Sequence, residues 1–303
     1  MNQSNSLDAL IPLYNSSLPD ALRSINSLLE SKFIQQVIIG ENPGKSSLLP
    51  QLRLHYSSNP RVKLFQFETY EPMFRNWLRI IDLSSSDYFL LLPCGDAIIS
   101  EAFDNVFLGA LNANLPVAAI CSRRRLLFSS SLLQFVNAAY LRLNRISDIT
   151  KPCYSGGLGG HYIRSEDFPK ILRRKCYNFI GEPGSVIYHR SLALSKGQSR
   201  NSNQLRISQY LANRYPYTTD LCLHYYFFCL PAPSRIFLAD TITTCFEVDT
   251  DSGTWRMRNK HSTDLCCFIN HLSPRKLTFF EVTSIRLRTL ARLTLYKLNE
   301  ILF

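Results

Sequence analysis

Long apolar runs are missing from this 303-residue chain: no stretch approaches the ~18–20 residues that a membrane-crossing helix needs. Paired cysteines are missing too. The nine cysteines stand at 94, 121, 153, 176, 222, 229, 245, 266 and 267, with no C-x-x-C spacing, which argues against a zinc site and against a disulfide framework. Most sit in apolar company, as Cys229 does in "YYFFCL", and read as small core residues of a reducing cytoplasm. The opening "MNQSNSLDAL" has no basic segment followed by an apolar one, so no secretory signal is expected. Acidic residues are in short supply, 23 against 34 Lys and Arg, for a net charge of +11. That balance suits nucleic acid, an anionic membrane surface or a phosphate-bearing ligand. Without zinc-finger spacing or an RNA-recognition aromatic signature, nucleic acid ranks last and is not expected as a partner.

One more absence concerns "VIIGENPGKSS" at 37–47. A phosphate-binding P-loop needs a glycine five residues before Gly44, so that successive backbone N–H groups encircle a phosphate. That position is Ile39, and Gly40 comes one residue late. Pro43 removes a further N–H. The stretch therefore reads as a polar turn from strand to helix, with Lys45 and Ser46 opening the helix.

What is present is a composition 46% hydrophobic and 19% charged, enough for a sizeable globular core. The first half alternates: strand 7–14, amphipathic helix 19–32, strand 33–40, helix from about Ser46 to His55, strand 61–67, helix 71–84, strand 87–93, helix 100–113, strand 116–121. Strands spaced by helices predict an α/β fold with a mostly parallel central sheet and helices on both faces. Ligands of such sheets sit at the carboxyl ends of the strands. The informative turns are Tyr14-Asn15, Gly40-Glu41-Asn42, Phe67-Glu68 and Pro93-Cys94-Gly95-Asp96. The second half is less regular. It holds a Gly-rich loop at 154–167, a strand-like "GSVIYHRS", a helix from about Asn203 to Arg214, the aromatic "DLCLHYYFFCL" and strands near "RIFLAD" and "ITTCFEV". From Ser273 the apolar positions 287, 290, 293, 295, 298, 301 and 302 alternate with Arg286, Arg288, Arg292 and Lys297. This basic amphipathic helix either packs on the domain or lies on an anionic membrane surface.

Several stretches resemble family 2 glycosyltransferases. "ALIPLYNSSLPDALRSINSLLES" is similar to that family's opening strand, Tyr-Asn turn and first helix. "QQVIIGENPG" sits where the family has a strand ending in a nucleotide-binding Asp. "NPRVKLFQFETYEPMFRNWLRIIDLSSSDYFLLLPCGDAI" resembles the stretch leading to a metal-binding Asp-x-Asp. "NFIGEPGSVIYHRS" resembles the Gly-Glu-Pro segment, and "YPYTTDLCLHYYF" the segment with the acidic base. The resemblance implies the GT-A nucleotide-sugar-binding fold over residues 8–250, after a disordered N-terminus at 1–7 and before a C-terminal helical extension at 251–303.

It also implies transfer of a sugar, with inversion, from a nucleoside-diphosphate sugar to a glycan or lipid-linked acceptor in polysaccharide or glycan biosynthesis. The protein would be cytoplasmic, with peripheral contact at the cytoplasmic face of a membrane through its C-terminal helix. Asp220 falls at the position of the base, although an Asp at a helix start is equally common as a plain N-cap. Tyr14, Asn15, Glu41, Asn42, Asn76, Gly181 and Glu182 fall at donor- or acceptor-binding positions. Glu41 would accept an N–H of the base; as an alternative it is an ordinary turn acid. The metal motif is degenerate. Pro93-Cys94-Gly95-Asp96 keeps one carboxylate, and Phe246-Glu247-Val248-Asp249 replaces a pattern ending in histidine. Mg2+ or Mn2+ would then rest on Asp96 and Asp249 with diphosphate oxygens. A second reading follows from the same departure, a relative that binds sugar nucleotide or glycan without turnover.

Overall fold

A computed structural model describes residues 6–112, 117–127, 133, 135–136, 152–155, 157–175, 177–193, 202–228, 234–247, 258–273 and 275–302. In its first half, strands and helices alternate as the sequence predicts: β1 (Leu7–Leu13), α1 (Leu18–Leu29), β2 (Ile34–Glu41), α2 (Leu49–Tyr56), β3 (Val62–Gln66), α3 (Met73–Ile81), β4 (Tyr88–Leu91), β5 (Asp96–Ile98), α4 (Ser100–Asn112) and β6 (Val117–Leu127). The second half adds β7 (Pro152–Ser155), β8 (Leu158–Arg164), α5 (Phe168–Lys175), β9 (Val186–His189), a helical turn at Arg190–Ala193, α6 (Ser202–Arg214), α7 (Thr219–Phe228), β10 (Arg235–Glu247), α8 (Arg258–Leu272) and α9 (Phe279–Leu302).

All ten strands join one sheet in the order β3-β2-β1-β4-β9-β6-β10-β8-β7, with β5 also paired to β10. The pairs β1–β2, β2–β3, β1–β4 and β6–β10 are parallel. β9 is inserted antiparallel between β4 and β6, which leaves those two running the same way. The block β3-β2-β1-β4 is thus the parallel sheet that the alternation requires, with its carboxyl ends along one edge.

Side-chain alternation divides the core into two layers. On β1, Leu7, Ala9, Ile11 and Leu13 join the residues under α1, α2 and α4, while Leu10 points to the opposite cluster. On β4, Leu90 and Leu92 take the first side, Phe89 and Leu91 the second. The second layer is built by α3, α5 and the strongly apolar α7. It also takes in Leu265, Phe268 and Ile269 of α8 and Ile285 of α9. α9 therefore seats a buried residue in the main core, while Phe279, Phe280, Leu287 and Leu290 stay exposed.

Three sequence expectations change in the structure. The Gly-rich stretch is largely strand and not a loop: β7 and β8 form an antiparallel hairpin there, and β8 continues along β10. The segments "RIFLAD" and "ITTCFEV" form a single strand, β10, because β6 and β8 flank it together. Lys45 and Ser46 lie ahead of α2, which starts at Leu49. Gly40 serves packing, since a Cβ there would lie 2.7 Å from the Phe67 ring. Among the described residues no helix is long and apolar enough to cross a membrane.

Candidate active site

The turn after β4 is clamped by α1. Ser24 Oγ donates to the Asp96 carbonyl at 2.6 Å and accepts from the Gly95 N–H at 2.9 Å. Arg23 donates to the Gly95 carbonyl at 2.8 Å and pairs with Asp20 at 3.0 Å. Asp96 then opens β5, opposite Phe246 of β10. In β10 the neighbouring Thr244 faces Arg124 of β6. These two registers bring a carboxylate, a guanidinium and an aromatic ring to one place.

Arg124 Nη2 donates to Asp96 Oδ1 at 2.9 Å, and its Nη1 lies 3.6 Å from Glu182 Oε1. The guanidinium rests over the Phe246 ring at 4.5 Å, a cation–π contact that keeps its plane fixed. Asp96 is 2% exposed, and its Oδ2 is buried with no hydrogen-bond partner among the described residues. Burial, only partly offset by Arg124, lifts its carboxyl to about 6.

Glu182 arrives through the turn that precedes β9. Gly181 has φ +101°, and a Cβ on it would lie 2.5 Å from Ser185 Oγ, so only glycine holds this bend. Asn178 bridges the turn to α7: its Nδ2 donates to the Gly181 carbonyl at 2.8 Å and to Asp220 Oδ2, and its Oδ1 accepts from the Gly181 N–H. His224, one turn along α7 from Asp220, is fully buried. Its Nε2 donates to the same Gly181 carbonyl at 2.8 Å, which leaves Nδ1 to accept from the Tyr188 hydroxyl at 3.1 Å. Burial pushes its imidazole down to about 4, so it is neutral at physiological pH. Desolvation and then the nearby Glu182 charge push the Asp220 carboxyl up to about 7, in the range suited to a general base at neutral pH.

Asp96, Gly181, Glu182 and Asp220 are thus brought together around Arg124 and Asn178. The residues at the tips of β1 and β2 form a second group. Tyr14 is exposed and packs against Tyr70 with ring centroids 5.4 Å apart. Asn15, at φ 49°, accepts the Lys45 N–H at 2.9 Å. Glu41 is 5% exposed; its carboxylate accepts the Leu48 N–H at 2.7 Å and the Ser47 hydroxyl, anchoring the loop into α2. Asn42 clips Glu71, donating to its carbonyl and accepting its N–H. Arg79 donates to Asn42 at 2.7 Å, to Asn76 at 2.8 and 2.9 Å and to the Thr69 carbonyl, and it lies 3.7 Å over the Phe67 ring. Asn42 and Asn76 are therefore both bound to Arg79.

Among the described residues the donor set does not fit Mg2+ or Mn2+. Asp249 lies outside the described residues. Asp96 offers one oxygen to a guanidinium and seals the other against Gly184, where a Cβ would be 3.2 Å away. Among the described residues no group of three or more His, Cys, Asp or Glu could hold an ion.

The residues that sequence reasoning missed are Arg124, Asn178, His224 and Tyr70. Arg124 was visible only as part of a basic knot, Arg123-Arg124-Arg125. Extending the strand through it would have put Arg124 on the face opposite to both neighbours.

The architecture is that of the GT-A fold. No known protein-family profile matches the sequence, and no curated protein matches it either. Solved structures do match. S. aureus TarS aligns over 98% of this chain with a TM-score of 0.52 and 14% identity. A TarS 1–349 structure in complex with UDP-GlcNAc aligns over 94% with a TM-score of 0.52 and 10% identity. The chain spans 53% of the first of these TarS chains and 73% of the 1–349 form. GalNAc-T7, crystallised with UDP, GalNAc and Mn2+, aligns over only 40% of the chain with a TM-score of 0.33, too distant a likeness to inform the metal.

Proposed function

We propose that the protein is a glycosyltransferase that moves a sugar from a nucleoside-diphosphate donor to a hydroxyl of a glycan or lipid-linked acceptor, with inversion, in polysaccharide or glycan assembly. The observation that carries this reading is the convergence of Asp96, Glu182 and Asp220 on one edge of the sheet, at the ends of strands whose tips also carry an exposed Tyr14–Tyr70 pair. Such a pair can stack a nucleobase on its free face. Glu41 and Asn42 support the base-binding loop from behind through the bonds described, and Asn15 fixes its bend. In the transfer, the bond between the anomeric carbon and the diphosphate oxygen breaks with its electron pair leaving on the diphosphate. The acceptor oxygen bonds to the anomeric carbon from the other side, and Asp220 takes its proton. Glu182 accepts a hydrogen bond from the acceptor.

The exposed Phe279, Phe280, Leu287 and Leu290 beside Arg286 and Arg288 support a peripheral seat on an anionic membrane face, close to a lipid-linked acceptor. A second reading, binding without turnover, is favoured by Asp96 being occupied by Arg124. Donor hydrolysis and transfer assays with UDP-, GDP-, CMP- and dTDP-sugars separate the two. Asp220→Asn abolishes turnover and keeps donor binding if the first holds; absence of any turnover, with donor binding intact in the unaltered protein, selects the second.

A further inference from the structure

We propose that Arg124 is the group that receives the donor diphosphate, in the place where a divalent cation would otherwise act, and that Asp96 serves to hold Arg124 there. The inference rests on the sugar-nucleotide reading above and deepens it. Three observations lead to it. Both oxygens of Asp96 face protein, one on the Arg124 guanidinium and one against Gly184. What this pair turns toward solvent is the cation: the Arg124 side chain is 16% exposed against 2% for Asp96. Arg124 is also fixed before any ligand arrives, by the Phe246 ring, by Asp96 and by its seat in β6, where it pairs with Thr244 of β10.

A guanidinium suits this task because its planar fork of N–H donors matches phosphate oxygens two at a time. Its Nε is buried with no hydrogen-bond partner among the described residues, so the outer nitrogens carry the contact. A cation already in position at the leaving group needs no reorganisation as charge develops there. Glu182, at 3.6 Å, is the weaker of the two carboxylate contacts and more exposed than Asp96. It can turn from Arg124 to the acceptor when diphosphate enters.

The test compares thermal stabilisation and calorimetric affinity for UDP, GDP, CDP and dTDP, in EDTA and in MnCl2, for the full chain and three variants. The expected result is a nucleotide response of equal size in EDTA and in Mn2+. Arg124→Gln weakens it about tenfold or more, and Arg124→Lys, which keeps the charge without the fork, gives an intermediate loss. Asp96→Asn, which keeps an acceptor for Arg124 and removes the competing charge, binds nucleotide as tightly as the unaltered chain or more so. Circular dichroism and the melting of each variant without ligand confirm that it is folded. A response that needs Mn2+, or one lost in Asp96→Asn but kept in Arg124→Gln, overturns the assignment and leaves the sugar-nucleotide reading standing. No response to any nucleotide, with or without Mn2+, overturns both.

Discussion

Asp220 and His224 are four residues apart on α7, and their ionisation is displaced in opposite senses with respect to folding. Asp220 binds its proton up to about pH 7 in the folded chain and only to roughly 4 when unfolded. Its contribution to stability is therefore complete below about pH 4 and is lost as pH rises through 7. Asp220→Asn, which cannot ionise, is expected to melt above the unaltered protein at pH 8, with the gap narrowing toward pH 5. His224 stays neutral down to about 4 when folded and takes a proton near 6.5 when unfolded. Its contribution is complete above roughly 6.5 and fades as pH falls toward 4. Thermal melts of His224→Gln across pH 4–8 should show a flatter acid limb. His224→Ala should cost about 2–4 kcal/mol at pH 7 by urea unfolding, because the Tyr188 hydroxyl loses its acceptor, the Gly181 carbonyl loses one of its two donors, and a cavity opens in a packed interior. At this scale the sequence was legible for where a residue sits, as with Asp96 in the turn after a strand and Asp220 in the first turn of a helix. It was opaque where the role depends on a partner far along the chain, as with Arg124 on Asp96 and Glu182, or Asn178 on Asp220.

Among elements, Arg79 of α3 ties that helix to the loops that follow β2 and β3. Arg79 uses three nitrogens on Asn42, Asn76 and the Thr69 carbonyl while stacking on Phe67, a geometry that a lysine ammonium cannot reproduce. Arg79→Lys is expected to cost about 1–3 kcal/mol in chemical denaturation, and to weaken nucleotide affinity by loosening the loop that follows β2. The helix expected at 71–84 forms at Met73–Ile81, with Trp77 in the core. Its polar residue Asn76 reads in sequence as a ligand contact and in the structure as a bond to Arg79. Element boundaries were legible to within a few residues wherever the apolar period was unbroken. They were not at β6, where three consecutive arginines hid the continuation of a strand. At the other end of the chain, Phe279→Ser with Phe280→Ser should lower sedimentation with vesicles containing anionic lipid and leave melting nearly unchanged, since both rings are exposed, 80% and 82%.

Across the whole molecule, the parallel block and both flanking layers followed from the alternation of elements. The reversed β9 between β4 and β6 did not, because nothing in a four-residue apolar strand specifies its direction. The two groups at the strand tips, Tyr14–Tyr70 with its loop and the Arg124 cluster, sit on strands of one continuous sheet. A ligand spanning both should stabilise the protein more than either part of it. Hydrogen exchange with a bound nucleoside diphosphate is expected to slow amides in the loops after β1, β2 and β4 together, whereas inorganic diphosphate slows only those near Asp96 and Glu182.

Ile285 fills the same interior as residues that are made more than two hundred positions earlier, such as Leu10 and Phe74. During synthesis that layer must wait for α9 to leave the ribosome before it can close. Nascent chains stalled ahead of position 285 would therefore present a greasy, unfinished face, and capture of that face by chaperones should fall once α9 has emerged.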